Sequence, residues 1–398
     1  MNRLLATTAA FALLAAPSVG QSVFELDDII FTGNLSDVAA SRSGISVEVI
    51  TSEDLAEAGD IEVIDYLARL PSLNVSRDGP AGTNASVRLR GLGEQYIAVR
   101  INGIDVSDPS GTQTEFNFAA LPTSSIDRIE VLYGSQSAIY GSEAIGGVIN
   151  IETVQAPEDP GTVGTVEVEA GTYGTARASA SFGMRSDRAS LAFSATRLET
   201  EGFSAAEENV GNDEADGHDS TTLSARGTYE LTGTLTLGFN VLSQDLFTEF
   251  DAGPGPGGDG PQTEDTTRHA GRLFANLETG AFTHEFSVSQ SETRREYPIG
   301  FIREFEGDRT EFRYLGTWDI SERDVLSFGF ERSEESFSTD FDTGDVTIDS
   351  AFFDAIWAVT PELDVTLSGR VDDNSLFGTQ PTLRAAAAWR PDAETEVR

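Results

Sequence analysis

From about residue 160 onward, apolar and polar residues alternate one by one. Ala176, Ala178, Ala180, Phe182 and Met184 alternate with polar residues such as Arg177 and Ser179. Ala189, Leu191, Phe193 and Ala195 repeat the pattern, as do Leu223, Ala225, Gly227, Tyr229 and Leu231 opposite Thr222, Ser224, Arg226, Thr228 and Glu230. A period of two is that of a strand with unlike faces. Further runs lie at 163–170, 235–241, 273–277, 282–288, 312–318, 326–330, 351–359, 363–371 and 383–389, which gives about twelve strands. Short turns (185–187, 232–233, 279–280, 360–361) are separated by long polar loops (199–220, 244–268, 292–309, 333–349). Short turns on one rim and long loops on the other are the pattern of an outer-membrane barrel. A soluble sandwich or β-helix does not require that asymmetry.

Residues 36 to about 155 follow another pattern, that of a mixed α/β domain. Thr51-Ser52-Glu53-Asp54 offers a helix cap, and Ile61, Ile64, Leu67 and Ala68 keep helical spacing until Pro71 stops it. Short strands are predicted at 86–90, 96–101, 126–132 and 147–152, too few and too short for a large enzyme core. Residues 21–35 form a short extended segment with no packing partner of its own. The first 20 residues read as a signal peptide: Arg3 is the basic n-region, Leu4 to Ala16 the apolar run, and Ser18 and Gly20 the small residues before cleavage. A buried N-terminal helix is the alternative.

The 398 residues carry 66 acids and 26 basic residues, a formal charge of -40, and every basic residue is arginine. Such a charge repels nucleic acid. There is no cysteine, hence no disulfide or thiolate chemistry. No apolar run beyond the N-terminus reaches the ~20 residues of a membrane helix, but a closed barrel crosses a bilayer with weakly hydrophobic strands. His218, His269 and His284 are not paired at ligand spacing, and His284 reads as structural. Gly253 to Gly260 is a loop tip and not a phosphate cradle, because no strand-to-helix context with a lysine follows. No catalytic constellation or cofactor motif stands out, so a non-enzyme is expected.

Three motifs carry a family resemblance. Ile126-Asp127-Arg128-Ile129-Glu130-Val131-Leu132-Tyr133-Gly134, then Ser137 to Ser142, then Ala144 to Ile151, resemble the plug signature of TonB-dependent outer-membrane receptors. Val87 to Gly91 and Arg100 to Ile104 are similar to two earlier plug motifs. Tyr133 and Ser135 stand where arginine and proline are usual, and Asn102 where aspartate is usual. The resemblance implies an α+β plug domain over 36–155, followed from residue 160 by an antiparallel transmembrane β-barrel. A complete barrel would have roughly 22 strands. The chain stops after a strand and without the terminal aromatic of such barrels, so an N-terminal portion of a longer receptor is expected. Arg88, Arg90, Arg128 and Glu130 are expected to pair with lumen-facing charges.

Leu26, Asp27, Asp28, Ile29, Ile30, Phe31 and Thr32 look like a TonB box, a peptide that adds as an edge strand to its partner TonB. The implied activity is uptake across the outer membrane, driven by the inner-membrane proton gradient. Gly91, Leu92, Gly93, Glu94, Gln95 and Tyr96 would form one plug apex, and Asp108 to Thr114, with Asp108, Ser110 and Thr112, another. Both would face the ligand. The layout is most similar to that of cobalamin (vitamin B12) receptors, with siderophore or haem uptake as the alternative cargo and a non-transporting adhesin as the alternative class. The same resemblance implies calcium at Asp213, Asp216, Asp251 and Asp265. Calcium takes many oxygen ligands, while a merely solvated acidic face remains the competing reading in so acidic a chain.

Overall fold

The computed structural model describes residues 29–30, 35–36, 38–42, 44–111, 114–119, 121–205, 214–251, 262–392 and 395–398. The signal-peptide segment 1–20 and Leu26, Asp27, Asp28, Phe31 and Thr32 lie outside them.

Two short strands, β1 (Ile29–Ile30) and β2 (Val38–Ala39), pair antiparallel. This corrects the expectation that residues 21–35 have no packing partner: the two isoleucines, good strand formers, find one a few residues downstream.

The plug follows. Strand β3 (Ser46–Thr51) leads into α1 (Ser52–Ala58), α2 (Val63–Leu67), β4 (Leu73–Arg77), β5 (Ala85–Leu89), β6 (Ile97–Ile101), β7 (Ile104–Asp105), β8 (Ile126–Tyr133), α3 (Ser137–Tyr140) and β9 (Gly147–Thr153). The cap read from sequence forms: Asp54 N–H donates to Thr51 Oγ1 at 3.2 Å, and Thr51 N–H donates back to Asp54 Oδ2 at 2.9 Å. Gly59, at φ 70°, ends α1 before α2 begins. The main sheet has the order β3-β8-β9-β6-β7, with β6 and β9 parallel. One face is apolar: Ile129, Val131, Ile149, Ile151, Val99 and Ile101 are buried with Leu55, Val63, Ile64 and Leu67 of the helices. The side chains of Glu130, Asn150 and Arg100 lie in register across β8, β9 and β6, and all three are buried. Alternation along each strand puts them on the opposite face.

Beyond the plug come twelve antiparallel strands, each beside its sequence neighbour. They are β10 (Gly161–Ala170), β11 (Ala176–Arg185), β12 (Ala189–Thr200), β13 (His218–Thr232), β14 (Leu235–Phe250), β15 (Gln262–Thr279), β16 (Phe282–Glu296), β17 (Glu304–Asp319), β18 (Val325–Thr339), β19 (Thr343–Thr360), β20 (Leu363–Asn374) and β21 (Gly378–Trp389). β10 and β21 are the ends of this open sheet. Its apolar face points away from the plug. Phe286, Tyr314, Phe330, Ala351 and Val371 stand side by side in register, and Phe286, Phe330 and Val371 are 53%, 61% and 45% exposed. Such a continuous exposed band suits hydrocarbon.

The strands run further than their alternation predicts. The loop expected over 333–349 shrinks to residues 340–342, because β18 and β19 keep pairing as far as Ser338 and Thr343. In this extension polar residues fall on both faces, as at Glu334 and Glu335, so the backbone ladder continues where the period weakens.

Candidate functional site

Plug and wall share buried apolar contacts, such as Ile139 with Phe352, and a set of ion pairs. Arg100 of β6 lies 3.2 Å from Glu311 of β17. Arg309 of β17 pairs with Asp105 of β7 and, at 2.7 Å, with Glu143. Asp108 meets Arg295 at 3.1 Å, and Glu152 meets Arg226 at 2.6 Å. The residues expected to make these contacts are arranged differently. Arg128 pairs with Glu130 on its own strand at 2.8 Å, Arg90 lies over the Tyr133 ring, and Arg88 is exposed. These contacts lie within the plug, and the wall pairs above include Asp105, Asp108, Glu143 and Glu152, which the motif does not single out.

A second charge cluster holds the chain just before β3. The Asp364 carboxylate of β20 is fully buried and meets Arg42 at 3.1 Å, Arg323 at 3.4 Å, and Arg390. Arg390 also donates to the Ser41 carbonyl, and Arg398 to that of Ile45 at 2.6 Å. Ser41, Arg42 and Ile45 are thus fastened to the wall shortly after β2.

At the long-loop end, plug and wall enclose a cavity of about 370 Å3. Asp78 and Thr83 of the β4–β5 turn, with Asp108 and Glu115, line it from the plug, while Phe250, Asp251, Glu264, Arg268, Arg295 and Tyr297 line it from the wall. Asp108 Oδ1 accepts from Ser110 N–H at 2.8 Å, and the Ser110 hydroxyl accepts from Arg295 at 3.1 Å. Thr112 lies outside the described residues. Gly91, Leu92 and Gly93 form a turn, and Glu94, Gln95 and Tyr96 a single 3-10 turn, with Leu92 and Tyr96 exposed. This apex stands beside the cavity and not in its lining. Burial, reinforced by Glu115 and Asp78, pushes the Glu94 carboxyl up to about 7, against Arg88.

Among the predicted calcium ligands, Asp216 and Asp251 come together. With Glu214, which the sequence reading did not select, their carboxylates approach within 4.8 Å of one another. Both Glu214 oxygens are buried without a hydrogen-bond partner. Burial holds the Asp216 carboxyl above its usual range, with Asp251 and Glu249 adding to the effect and the Ala205 N–H opposing it. Asp265 is not part of the group: it is exposed, while Glu264 and Arg268 on the other face of β15 line the cavity. Asp213 lies outside the described residues.

Residues 39–148 match the family of the TonB-dependent Receptor Plug Domain. The chain thus carries a plug domain of the TonB-dependent receptor family over these residues. The chain is 26% identical over 350 residues to the vitamin B12 transporter BtuB of Vibrio vulnificus, a match covering 85% of this chain and 55% of that protein. It is 25% identical over 399 residues to BtuB of Photobacterium profundum, covering 98% of the chain and 64% of that protein. The chain thus spans 55% and 64% of the length of these relatives. Among solved structures it is similar to the siderophore receptor PirA of Acinetobacter baumannii, with TM-score 0.75, 18% identity, and 87% and 59% of the two chains covered. It is also similar to a mutant ferric enterobactin receptor PfeA of Pseudomonas aeruginosa, with TM-score 0.72, 16% identity, and 88% and 61% covered. At that identity the structures establish the fold alone.

Sequence reasoning missed the receptor's 78–84 turn as a cavity wall. Asp78-Gly79-Pro80 between two strands is an ordinary turn signal. Only the tertiary fold carries it to the mouth. His284 lies between the Thr279 hydroxyl at 2.9 Å and the Tyr314 hydroxyl at 3.0 Å.

Proposed function

We propose that the chain is the plug-bearing portion of an outer-membrane importer energised through TonB, with cobalamin as its cargo. The observation that carries this reading is the plug's seat. Ion pairs make up much of the plug's contact with the wall, and a cavity remains at the loop end. Polar contacts can be exchanged for water at small net cost, so a plug held this way can shift without exposing a large apolar surface. Ligand settles in the cavity, TonB engages the 26–32 segment, pulling rearranges the plug, and ligand passes to the periplasm. Ile29 and Ile30 pair with β2 along one edge of β1, and TonB would add along the other. Export by the N-terminal signal segment and insertion into the outer membrane belong to the same reading.

Cobalamin is favoured because the matched transporters bear that name. A ferric siderophore is the second reading, from the fold neighbours. Calcium at Glu214, Asp216 and Asp251 would order the mouth, supported by oxygen-only ligands within mutual reach. The deciding experiment is uptake of labelled cobalamin by cells carrying the full-length receptor, with Ile30→Pro as the variant. Loss of uptake in the variant is expected. Undiminished uptake overturns the TonB-box assignment. Uptake of a ferric siderophore in place of cobalamin transfers the cargo to the second reading, and uptake of neither favours an adhesin.

A further inference from the structure

Among the described residues, Arg100, Arg268, Arg309 and Arg370 are the arginines that are more than nine-tenths buried. Arg100 pairs with Glu311, Arg309 with Asp105 and Glu143, and Arg370 with Glu331 and Asp372. Arg268 differs. Among the described residues no carboxylate forms an ion pair with it, and Asp108 and Glu264 act on it only at longer range. Its Nη1 donates to the amide oxygen of Gln244 at 2.8 Å, and its guanidinium lies 4.5 Å from the centroid of the Phe116 ring. Its Nε is buried without a hydrogen-bond partner. It lines the outer cavity, whose other cation, Arg295, is already engaged by Asp108 at 3.1 Å.

A buried charge persists where something compensates it. An amide oxygen and a ring face compensate a guanidinium in part, and leave in-plane N–H donors for an anion. We infer that Arg268 receives an anionic oxygen of the imported ligand, and that the ligand carries one such group. A second anionic group would meet Asp78, Glu115, Asp251 and Glu264, which face the same cavity and favour neutral or hydrogen-bond-donating parts. Arg268 is then a specificity residue of the mouth, and the inference rests on the import reading above.

The test uses the full-length receptor and two corrinoids that differ in the anionic group. Cyanocobalamin carries one phosphodiester, and dicyanocobinamide lacks it. Arg268→Gln should weaken cyanocobalamin binding about tenfold or more, the scale of a charge-assisted hydrogen bond, while dicyanocobinamide binding stays unchanged. Arg268→Lys, which keeps the charge and loses the fork, should fall between. Equal loss for both corrinoids, or no loss for either, overturns the inference. If the unsubstituted receptor binds neither corrinoid, the cobalamin reading fails by itself. Arg268 is then decided by inorganic phosphate at matched ionic strength. Phosphate that raises the unfolding temperature of the receptor but not of Arg268→Gln supports it, and an identical response in both overturns it.

Discussion

The guanidinium of Arg100 in the plug lies 3.2 Å from the carboxylate of Glu311 in the wall, and both side chains are buried. Two ions in such a place are stable together and costly apart. Arg100→Ala leaves Glu311 buried without this partner and should destabilise the seated plug by about 3–5 kcal/mol. Replacing both by apolar residues of similar size should cost much less. A double-mutant cycle read by hydrogen exchange at the β6 amides checks this. Additive single effects would show that the pair is not coupled.

The plug apex should respond to pH. Glu94 is pushed up to about 7 by burial and then by Glu115. A carboxyl raised in the folded state stabilises its surroundings fully below its unfolded value, and that contribution is lost as pH rises through about 7. The 91–96 turn should therefore be better ordered at low pH and loosen towards high pH. The chain has no native cysteine. A single spin label at Gln95→Cys reads the change cleanly, and Glu94→Gln should flatten the profile. A profile unchanged by that substitution would assign the response to another group.

The cluster around Asp364 gives an order of effects. Arg42→Gln removes one guanidinium and leaves Arg323 and Arg390 to neutralise the buried carboxylate. Asp364→Asn removes the anion that holds all three. Release of the segment ahead of β3, followed by a label at Ser36→Cys, should be greater for Asp364→Asn than for Arg42→Gln. The reverse order would place the anchor elsewhere.

Calcium gives a contrast between two aspartates. If the proposed calcium reading holds, Asp216→Asn should abolish calcium binding measured by calorimetry, because the Asp216 carboxylate clusters with those of Glu214 and Asp251. Asp265→Asn, on the exposed face of β15, should leave it unchanged. Equal loss from both would point to diffuse attraction by acidic loops.

The sequence by itself determined the architecture. Alternation such as Ala176 to Met184 revealed the wall strands, because lipid on one side and a polar lumen on the other impose a period of two on every strand. The motif from Ile126 to Ile151 marked the plug, because tight turns and close-packed strands restrict residue type locally. Tertiary structure decided which charges meet. Arg100 finds Glu311 and Arg42 finds Asp364 across very long separations, with no local period to announce them. It also decided sides. One step along β15 separates Glu264, facing the cavity, from Asp265, facing away, and outside the apolar band the chain shows no contrast from which that choice can be read.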